Sequence, residues 1–293
     1  IYDRSAVVTR LYAIYERFVE DLISDWLRRM PDLVPRYSDL GEKVQNTHRE
    51  GIGRLLSDLK KNRFQHLSVE KVVQGLSCGI TDTGKYELLP DAFLLHQQNL
   101  RKEVLETVFK NAGIDEAWKW VINHKEIKHF VEEVRGSQNT AEGELKQLVD
   151  YRNKAAHGST DQILGTQELL DLGDFVEALC KSLADLVTYN IILLQIDRGL
   201  VREIGKITEW LKKRQAYVAQ VKEVTLTVGE RVFLVLVNDK LSYCYAAKVE
   251  SIELYGISQN QVEITSEEEV GLKFDRDARI GLTIYVTSSD RVD

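Results

Sequence analysis

An arginine and a histidine stand five positions apart in the segment LVDYRNKAAHG, which spans residues 148–158. His157 has an ordinary pKa of about 6.5, so its imidazole can accept or donate a proton near neutral pH. Arg152 can bind a phosphate through two parallel hydrogen bonds and stabilise negative charge on it. Asn153 can orient the imidazole or the phosphate. These residue types could carry out proton transfer beside a phosphate, which makes Arg152, His157 and Asn153 the candidate catalytic residues.

The spacing of these residues decides how they can share one site. Asn153 and His157 are four positions apart and lie on one face of a helix. Arg152 is rotated from His157 by about 140°, at about 100° per residue. The two can act together if the helix frays at Gly158, or if a second copy of the helix packs alongside, which the two intervening alanines permit. A structural role is the alternative, with the histidine at the last carbonyls of the helix and the arginine in an interface ion pair.

Other basic residues are candidates for contacts with a phosphate backbone. One cluster consists of Lys60, Lys61 and Arg63, and Lys154 lies within the motif itself. A second run extends from Arg202 to Arg214 and also contains Lys206, Lys212 and Lys213. A solvated helix face is the more common explanation of such runs, and RNA binding by Lys154, Lys60, Lys61 and Arg63 is an expectation.

Metal, disulfide and cofactor chemistry find no support in the residue pattern. The cysteines Cys78, Cys180 and Cys244 are odd in number and far apart, which favours a reducing cytosol. His124 and His129 have the wrong spacing for two zinc ligands on one helix turn, and no phosphate-binding glycine loop or serine nucleophile motif occurs. The sequence therefore predicts no metal and no cofactor.

Composition indicates a soluble protein with enough apolar material for a core. Of 293 residues, 43% are hydrophobic and 29% are charged. The most apolar stretch, residues 183–196, is interrupted by Asp185 and Asn190, so we expect no membrane-spanning helix and a cytoplasmic location. Nearly all of the net charge of −7 lies after residue 222, which suggests two units of different charge.

The period of the apolar residues changes once along the chain. Spacings of three and four recur up to about residue 217, beginning with Val7, Leu11, Ile14, Phe18 and Leu22, and predict helices. The predicted helices include 38–63, 99–110, 140–157, 166–196 and 200–219, with a loop at 77–89. Alternation with period two then predicts six short strands. We expect them to form a small closed barrel, because closure leaves no unpaired edge strand. The expected fold is mainly α, with a helical domain at 1–200, a linker helix at 201–221 and a β-barrel at 222–293.

The motif and its helical setting resemble those of HEPN domains. The hexapeptide RNKAAH matches the HEPN pattern of an arginine followed by a histidine, with a polar residue after the arginine. The stretches 11–20 and 99–113 are similar to a large bacterial HEPN branch found among defence and toxin genes, so the resemblance covers about residues 3–197. After residue 246, the stretches 247–256, 268–274 and 279–285 resemble the β-barrel of translation-factor second domains.

The resemblance implies a metal-independent endoribonuclease that acts as a homodimer with a composite site. RNA supplies its own nucleophile in the 2′-hydroxyl, so DNA would resist cleavage. Expected partners are RNA (tRNA, rRNA or mRNA) and an antitoxin or other defence-system protein, in a toxin or antiphage system. The alternatives are a non-catalytic HEPN module for dimerisation or RNA binding, and a HEPN protein modified on Tyr151 by a nucleotidyltransferase-type antitoxin. The barrel would be a docking or specificity module, or a passive capping domain.

Overall fold

A computed structural model of the chain describes residues 2–95, 98–156, 164–238 and 240–288. The chain divides into two compact units, residues 1–187 and residues 188–293. The first unit is helical, and the second contains the strands. The expectation of a mainly helical protein with a C-terminal β-barrel is confirmed.

The α-helices of the described residues vary from one turn to nine turns in length, and the last one continues past residue 187. Two of them exceed 30 residues and the others are short. In chain order they are α1 Tyr2–Leu33, α2 Glu42–Asp58, α3 Val69–Thr81, α4 Pro90–Phe93, α5 Lys102–Asn111, α6 Ala117–Asn123, α7 Lys125–His129, α8 Ala141–Ala156 and α9 Thr166–Asp197. A π-helical turn, Phe130–Val134, continues α7.

Two helical predictions need correction. Helix α2 is shorter than the predicted 38–63, because short 3-10 turns at Tyr37–Asp39 and Asn62–Phe64 flank it. The predicted loop at 77–89 is wrong in its first part, since α3 continues to Thr81. Ser68 caps α3 by accepting a hydrogen bond from the backbone N–H of Lys71 at 3.2 Å, a start signal that the glycines downstream obscured.

The buried face of α1 is shifted by one position from the predicted stripe. Val7 is 44% exposed and Ile14 is 47% exposed, although both belong to the stripe with helical spacing. The residues buried in the helical unit are instead Val8, Tyr12, Tyr15, Val19, Ile23, Trp26 and Leu27. Two tyrosines and a tryptophan supply part of this face, and each hydrogen-bonds the backbone or a side chain of the unit.

Helix α9 is the one helix among the described residues that is long and apolar enough to cross a membrane. Its most apolar window of 18 residues has a mean hydropathy of 1.3, and 33% of that window is buried. Core helices of water-soluble proteins pass the same test. In the helical unit, Phe175, Leu179 and Leu183 of α9 are fully buried.

The second unit contains a closed barrel of six antiparallel strands. Its strands follow one another in the order β4, β9, β1, β2, β8 and β5, and pairing of β5 with β4 closes the ring. Strand β6 extends β5 as a hairpin, and β3 pairs with β7 in a separate two-stranded sheet. The bounds are β1 Val201–Leu211, β2 Ala216–Val221, β3 Val224–Thr227, β4 Arg231–Val237, β5 Ser242–Leu254, β6 Ile257–Gln259, β7 Gln261–Ile264, β8 Glu268–Phe274 and β9 Thr283–Thr287.

The predicted linker helix at 201–221 is wrong, because this segment forms the first two strands of the barrel. Val201, Ile204 and Ile207 are buried at spacings of three, as on a helix. Irregularities in the pairing of β1 with β9 and with β2 produce this spacing, since a bulge adds one residue to the period-two alternation. At Gly205 a side chain is excluded, because a Cβ would lie 1.8 Å from the carbonyl oxygen of Gln220.

Candidate functional site

Helix α8 carries the described part of the RNKAAH motif near its C-terminal end. It begins after Thr140, as predicted, and the Thr140 hydroxyl accepts a hydrogen bond from the Gly143 N–H at 3.1 Å. Arg152 and Asn153 lie in its last turns and are half-buried. His157 and Gly158 lie outside the described residues, so the third candidate catalytic residue has no position here.

The guanidinium of Arg152 is held by a neutral amide and an aromatic ring. One of its terminal nitrogens, Nη1, donates to Asn153 Oδ1 at 3.1 Å. Its central carbon lies 5.2 Å from the centroid of the Tyr12 ring, within the range of a cation–π contact. In the described part of the chain, no carboxylate lies at ion-pair distance from Arg152. A guanidinium has five N–H donors, so most of them stay available for an anion.

Asn153 joins the arginine to the segment that precedes α5. Its side-chain oxygen Oδ1 accepts from Arg152 and also from Asn99 Nδ2 at 2.9 Å. Both lone pairs of that oxygen are therefore engaged, and the NH2 group is the part of Asn153 that can donate to a ligand. Asn99 is a site residue that the motif alone did not reveal.

Tyr12 fixes the segment that carries Asn99. Its hydroxyl accepts from the Leu100 N–H at 2.9 Å and donates to Glu16 Oε1 at 3.0 Å. Tyr15, one turn further along α1, donates to the Leu100 carbonyl oxygen at 3.2 Å. Burial raises the pKa of the Tyr12 hydroxyl well above its ordinary value, so the phenol stays neutral. The motif cluster, which we define as Tyr12, Glu16, Asn99, Arg152 and Asn153, thus draws on three separate parts of the chain.

Ion pairs fix α8 along its length. Asp150 pairs with Arg101 at 3.0 Å, and Glu142 pairs with Lys102 at 2.9 Å, so both connect α8 to the start of α5. Arg135 binds Glu144 of α8 through Nη2 at 3.0 Å. Its Nη1 donates to Asp171 of α9 at 2.9 Å. These contacts hold the backbone that presents Arg152.

Tyr151 adjoins Arg152 in the sequence, but its charged neighbours lie outside the motif cluster. It is half-buried, and burial together with the nearby carboxylates Glu168 and Glu144 raises the pKa of its hydroxyl. No ring contact or hydrogen bond joins it to the motif cluster in the described residues. A modification of Tyr151 therefore remains a prediction from the sequence.

The predicted RNA-binding residues other than Lys154 lie away from the motif cluster. Lys60, Lys61 and Arg63 follow the end of α2 and are exposed. Lys61 pairs with Asp58 at 2.8 Å, and the Arg63 guanidinium lies 4.5 Å from the Phe64 ring centroid.

Two grooves of the helical unit have residues of α2 in their lining. One, of about 540 Å³, is lined by Lys61, Arg63 and Arg54 among others. A second groove of about 620 Å³ shares Arg54 with it and extends to Gln98, the neighbour of Asn99. Lys154 is exposed on α8. RNA binding by Lys154, Lys60, Lys61 and Arg63 stays a prediction.

Metal-ligating clusters and disulfides are absent from the described ranges. No three side chains of histidine, cysteine, aspartate or glutamate come together there in a way that fits a metal ion. Cys78, Cys180 and Cys244 are all free thiols. Burial raises the pKa of the Cys180 thiol to about 12, so it is not an activated nucleophile.

Comparison with protein families decides the assignment of the helical unit. The sequence model of the family described as RiboL-PSP-HEPN matches residues 1–189. The chain belongs to the RiboL-PSP-HEPN family. No curated protein matches the chain. Membership of this HEPN family supports an RNA-related function, including that of a nuclease.

The motif cluster explains two stretches that carried the HEPN resemblance. The stretch 11–20 contains Tyr12 and Glu16, and the stretch 99–113 begins with Asn99. A tyrosine on an otherwise apolar helix face was the available signal for Tyr12. Asn99 is one of many polar residues in a loop, so only its hydrogen bond to Asn153 identifies it.

Proposed function

We propose that this HEPN protein is a metal-independent endoribonuclease of the bacterial cytoplasm that acts as a homodimer in a toxin or antiphage system. The observation that carries the proposal is the environment of the Arg152 guanidinium. Arg152 lies at the end of a family-specific motif helix, and no described carboxylate neutralises it. A half-buried cation held only by an amide and a ring is suited to bind a phosphate.

The proposed reaction uses the 2′-hydroxyl of RNA as the nucleophile. A histidine imidazole takes the 2′-hydroxyl proton, the 2′-oxygen forms a bond to phosphorus, and the bond from phosphorus to the 5′-oxygen breaks. The leaving 5′-oxygen receives a proton, and a 2′,3′-cyclic phosphate remains on the upstream product. Arg152 stabilises the charge on the phosphate oxygens, and the Asn153 NH2 group orients either the phosphate or the imidazole of His157.

The dimer is proposed from the surface of α1 beside α8. Ser5, Ala6, Thr9, Arg10 and Ala13 of α1 form a shallow groove with Ala155 of α8, so small residues and one arginine border the motif helix. Val7 and Ile14 are exposed apolar side chains of the same helix. A second copy packed here would cover the apolar residues and bring two motif helices together. Such packing would let Arg152 of one subunit act with the histidine of the other.

The first test is cleavage by the purified protein. A labelled single-stranded RNA is incubated with wild type, Arg152→Ala or His157→Ala, and the products are separated on a denaturing gel. Loss of the Arg152 guanidinium should reduce the rate by about 100-fold to 1000-fold, and loss of the His157 imidazole by about 100-fold to 10,000-fold. Arg28→Ala is the matched control, since Arg28 is an exposed arginine of α1 paired with Asp25. It should cleave like wild type.

The chemistry is tested with a substrate that lacks one 2′-hydroxyl. A single 2′-deoxy substitution at the mapped cleavage position should block the cut there and leave other cuts unchanged. Induced expression should arrest growth and fragment cellular RNA for wild type only, during normal growth or during phage infection. Cleavage by Arg152→Ala and His157→Ala at the wild-type rate would contradict the proposed catalytic residues. That result, or intact RNA in all of these assays, would leave a non-catalytic RNA-binding module as the function.

A further inference from the structure

One end of the barrel combines an exposed tryptophan with basic residues, and neither belongs to the nuclease site. Trp210, near the end of β1, is 38% exposed, whereas Trp26, Trp118 and Trp120 are buried in the helical unit. The basic residues of this end are Lys212 and Lys213, in the turn after β1, and Arg276 and Arg279, in the loop after β8. We call Trp210 and these four basic residues the barrel rim.

Trp210 packs against a second aromatic ring, with an angle of 37° between the two ring planes. It pairs with Tyr217 across β1 and β2, and the two ring centroids are 4.4 Å apart. The Tyr217 hydroxyl donates to the Ala278 carbonyl oxygen at 2.8 Å and accepts from the Ala278 N–H at 3.0 Å. One face of the indole is therefore fixed by packing, while part of its surface stays open to solvent.

The same contacts bring the second pair of basic residues to Trp210. Ala278 lies between Arg276 and Arg279, so the hydrogen bonds of Tyr217 hold that loop over the aromatic pair. Backbone hydrogen bonds of 2.8 Å between Ile207 and the 281–282 segment fix the end of the loop against β1. Lys212, Lys213, Arg276 and Arg279 are exposed and form no ion pair within the described residues, whereas Arg214 pairs with Glu253.

Charge is unevenly distributed along the barrel. Strand β8 begins beside the consecutive glutamates 267–269 and ends at Phe274, whose ring lies 6.1 Å from that of Tyr217. Six residues of strand separate the two ends by about 20 Å. The acidic balance of the C-terminal region thus has a strong contribution from the end opposite the rim. At the rim, the four basic side chains stand beside the exposed carboxylates of Glu209, Glu250, Asp275 and Asp277.

We infer that the barrel rim binds a single-stranded segment of RNA, with a base stacked on Trp210 and phosphates at Lys212, Lys213, Arg276 and Arg279. An aromatic ring beside cations fits a single strand, because each unpaired base offers a face for stacking and each nucleotide offers a negative charge. A duplex hides its base faces. The choice of RNA over DNA rests on the proposed nuclease function. The inference that a single strand binds here rests on the rim residues alone.

The test measures binding to the full-length protein separately from cleavage. A labelled 12-nucleotide single-stranded RNA of mixed sequence is titrated against Arg152→Ala protein, which prevents cutting, and anisotropy and tryptophan fluorescence are followed. Binding should quench the fluorescence of Trp210. Trp210→Ala should weaken binding by about 5-fold to 100-fold, as for loss of one stacked base. Tyr255→Ala is the aromatic control, because Tyr255 is 80% exposed and bonds Glu268 at the opposite end of β8.

A charge variant keeps the test decisive if Trp210→Ala unfolds the barrel. Lys213→Gln should reduce the slope of log affinity against log salt by about 0.7, the value for one phosphate of a single strand. Lys222→Gln is its matched control, since Lys222 is an exposed lysine at the other end of β2. It should leave the slope unchanged.

Three outcomes would overturn the inference. These are the absence of RNA binding at low salt, equal effects of the rim and control variants, and equal or stronger binding of a duplex of the same length. Equal affinity for a DNA strand of the same sequence would overturn the choice of RNA. If the protein cuts RNA but fails these tests, the rim site is rejected and the proposed nuclease is retained. If the rim passes these tests but the protein cuts no RNA, the nuclease is rejected and the rim site is retained.

Discussion

At the scale of single residues, we expect His48 to make the stability of the helical unit depend on pH. It is fully buried, stacks on Phe93 with 5.8 Å between ring centroids, and lies 3.2 Å through Nδ1 from the Tyr37 hydroxyl. Burial lowers the pKa of His48 to about 4, because the charged form is poorly solvated inside the protein. An unfolded chain has an ordinary histidine pKa of about 6.5 and binds the proton more readily.

We therefore predict that acidification destabilises the fold through His48. The folded pKa lies below the unfolded one, so stability is lost as the pH falls below about 6.5 and the loss ends near the folded pKa. Between pH 7 and pH 5 this residue should account for about 2 kcal/mol of the free energy of unfolding. Urea unfolding of His48→Gln should show a pH dependence smaller by that amount. The exposed His66 supplies the control variant His66→Gln, and a wild-type pH dependence in His48→Gln would contradict the prediction.

At the scale of elements, two glycines of α2 have opposite roles although they are two positions apart. A Cβ on Gly51 would lie 2.1 Å from the Ala92 carbonyl oxygen, so α2 and α4 approach closely there. A Cβ on Gly53 would meet nothing within 4 Å. We predict that Gly51→Ala lowers the melting temperature, whereas Gly53→Ala stabilises the protein by about 0.5–1 kcal/mol through helix propensity. Thermal unfolding of the two variants is the measurement, and equal shifts would contradict this packing of α2 on α4.

A second prediction for the elements concerns the ion pairs of Arg135, which connect three helical segments. Arg135 connects the π-helical turn to α8 through Glu144 and to α9 through Asp171, and Glu144 is almost fully buried. Removing the arginine leaves a buried carboxylate with Asn139 as its remaining hydrogen-bond partner among the described residues. Arg135→Met should destabilise the protein by about 3–5 kcal/mol in urea unfolding.

An exposed ion pair provides the comparison for Arg135. Arg17 and Asp21 form a pair of similar length, 2.9 Å, but their side chains are 72% and 55% exposed. Arg17→Met should therefore cost at most about 1 kcal/mol. Similar losses in the two variants would show that burial of Glu144 does not decide the strength of the contact.

At the scale of the whole molecule, the proposed dimer makes a prediction about mixed subunits. On a continuous helix, positions 152 and 157 would be rotated from each other by about 140°, so we expect each site to combine Arg152 of one subunit with the histidine of the other. A heterodimer of Arg152→Ala and His157→Ala subunits, purified with two different tags, then has one intact site. It should cleave RNA at about half the wild-type rate, although each parent homodimer is inactive. An inactive heterodimer of normal size would contradict sites shared in this way.

Features that depend on neighbouring residues could be predicted from the sequence. The helical period and the later alternation predicted a helical domain followed by a barrel, because each pattern reports which side of a local element is buried. The RNKAAH motif and its context identified the HEPN family and named Arg152 and Asn153, which lie on one helix. The start of α8 at Thr140 also followed from the local signal.

Tertiary structure alone decided the features that depend on distant residues. Bulges in β1 gave three-residue spacings, so the local pattern predicted a helix where pairing with β2 and β9 makes a strand. The buried face of α1 was misplaced by one position, because exposed apolar residues imitate a core stripe. Tyr12 and Asn99 reach the motif from 140 and 54 positions away, and closure of the barrel needs β4 to meet β5 on one side and β9 on the other. Periodicity records whether a residue is buried, but not which distant residue it contacts, and the site is made of such contacts.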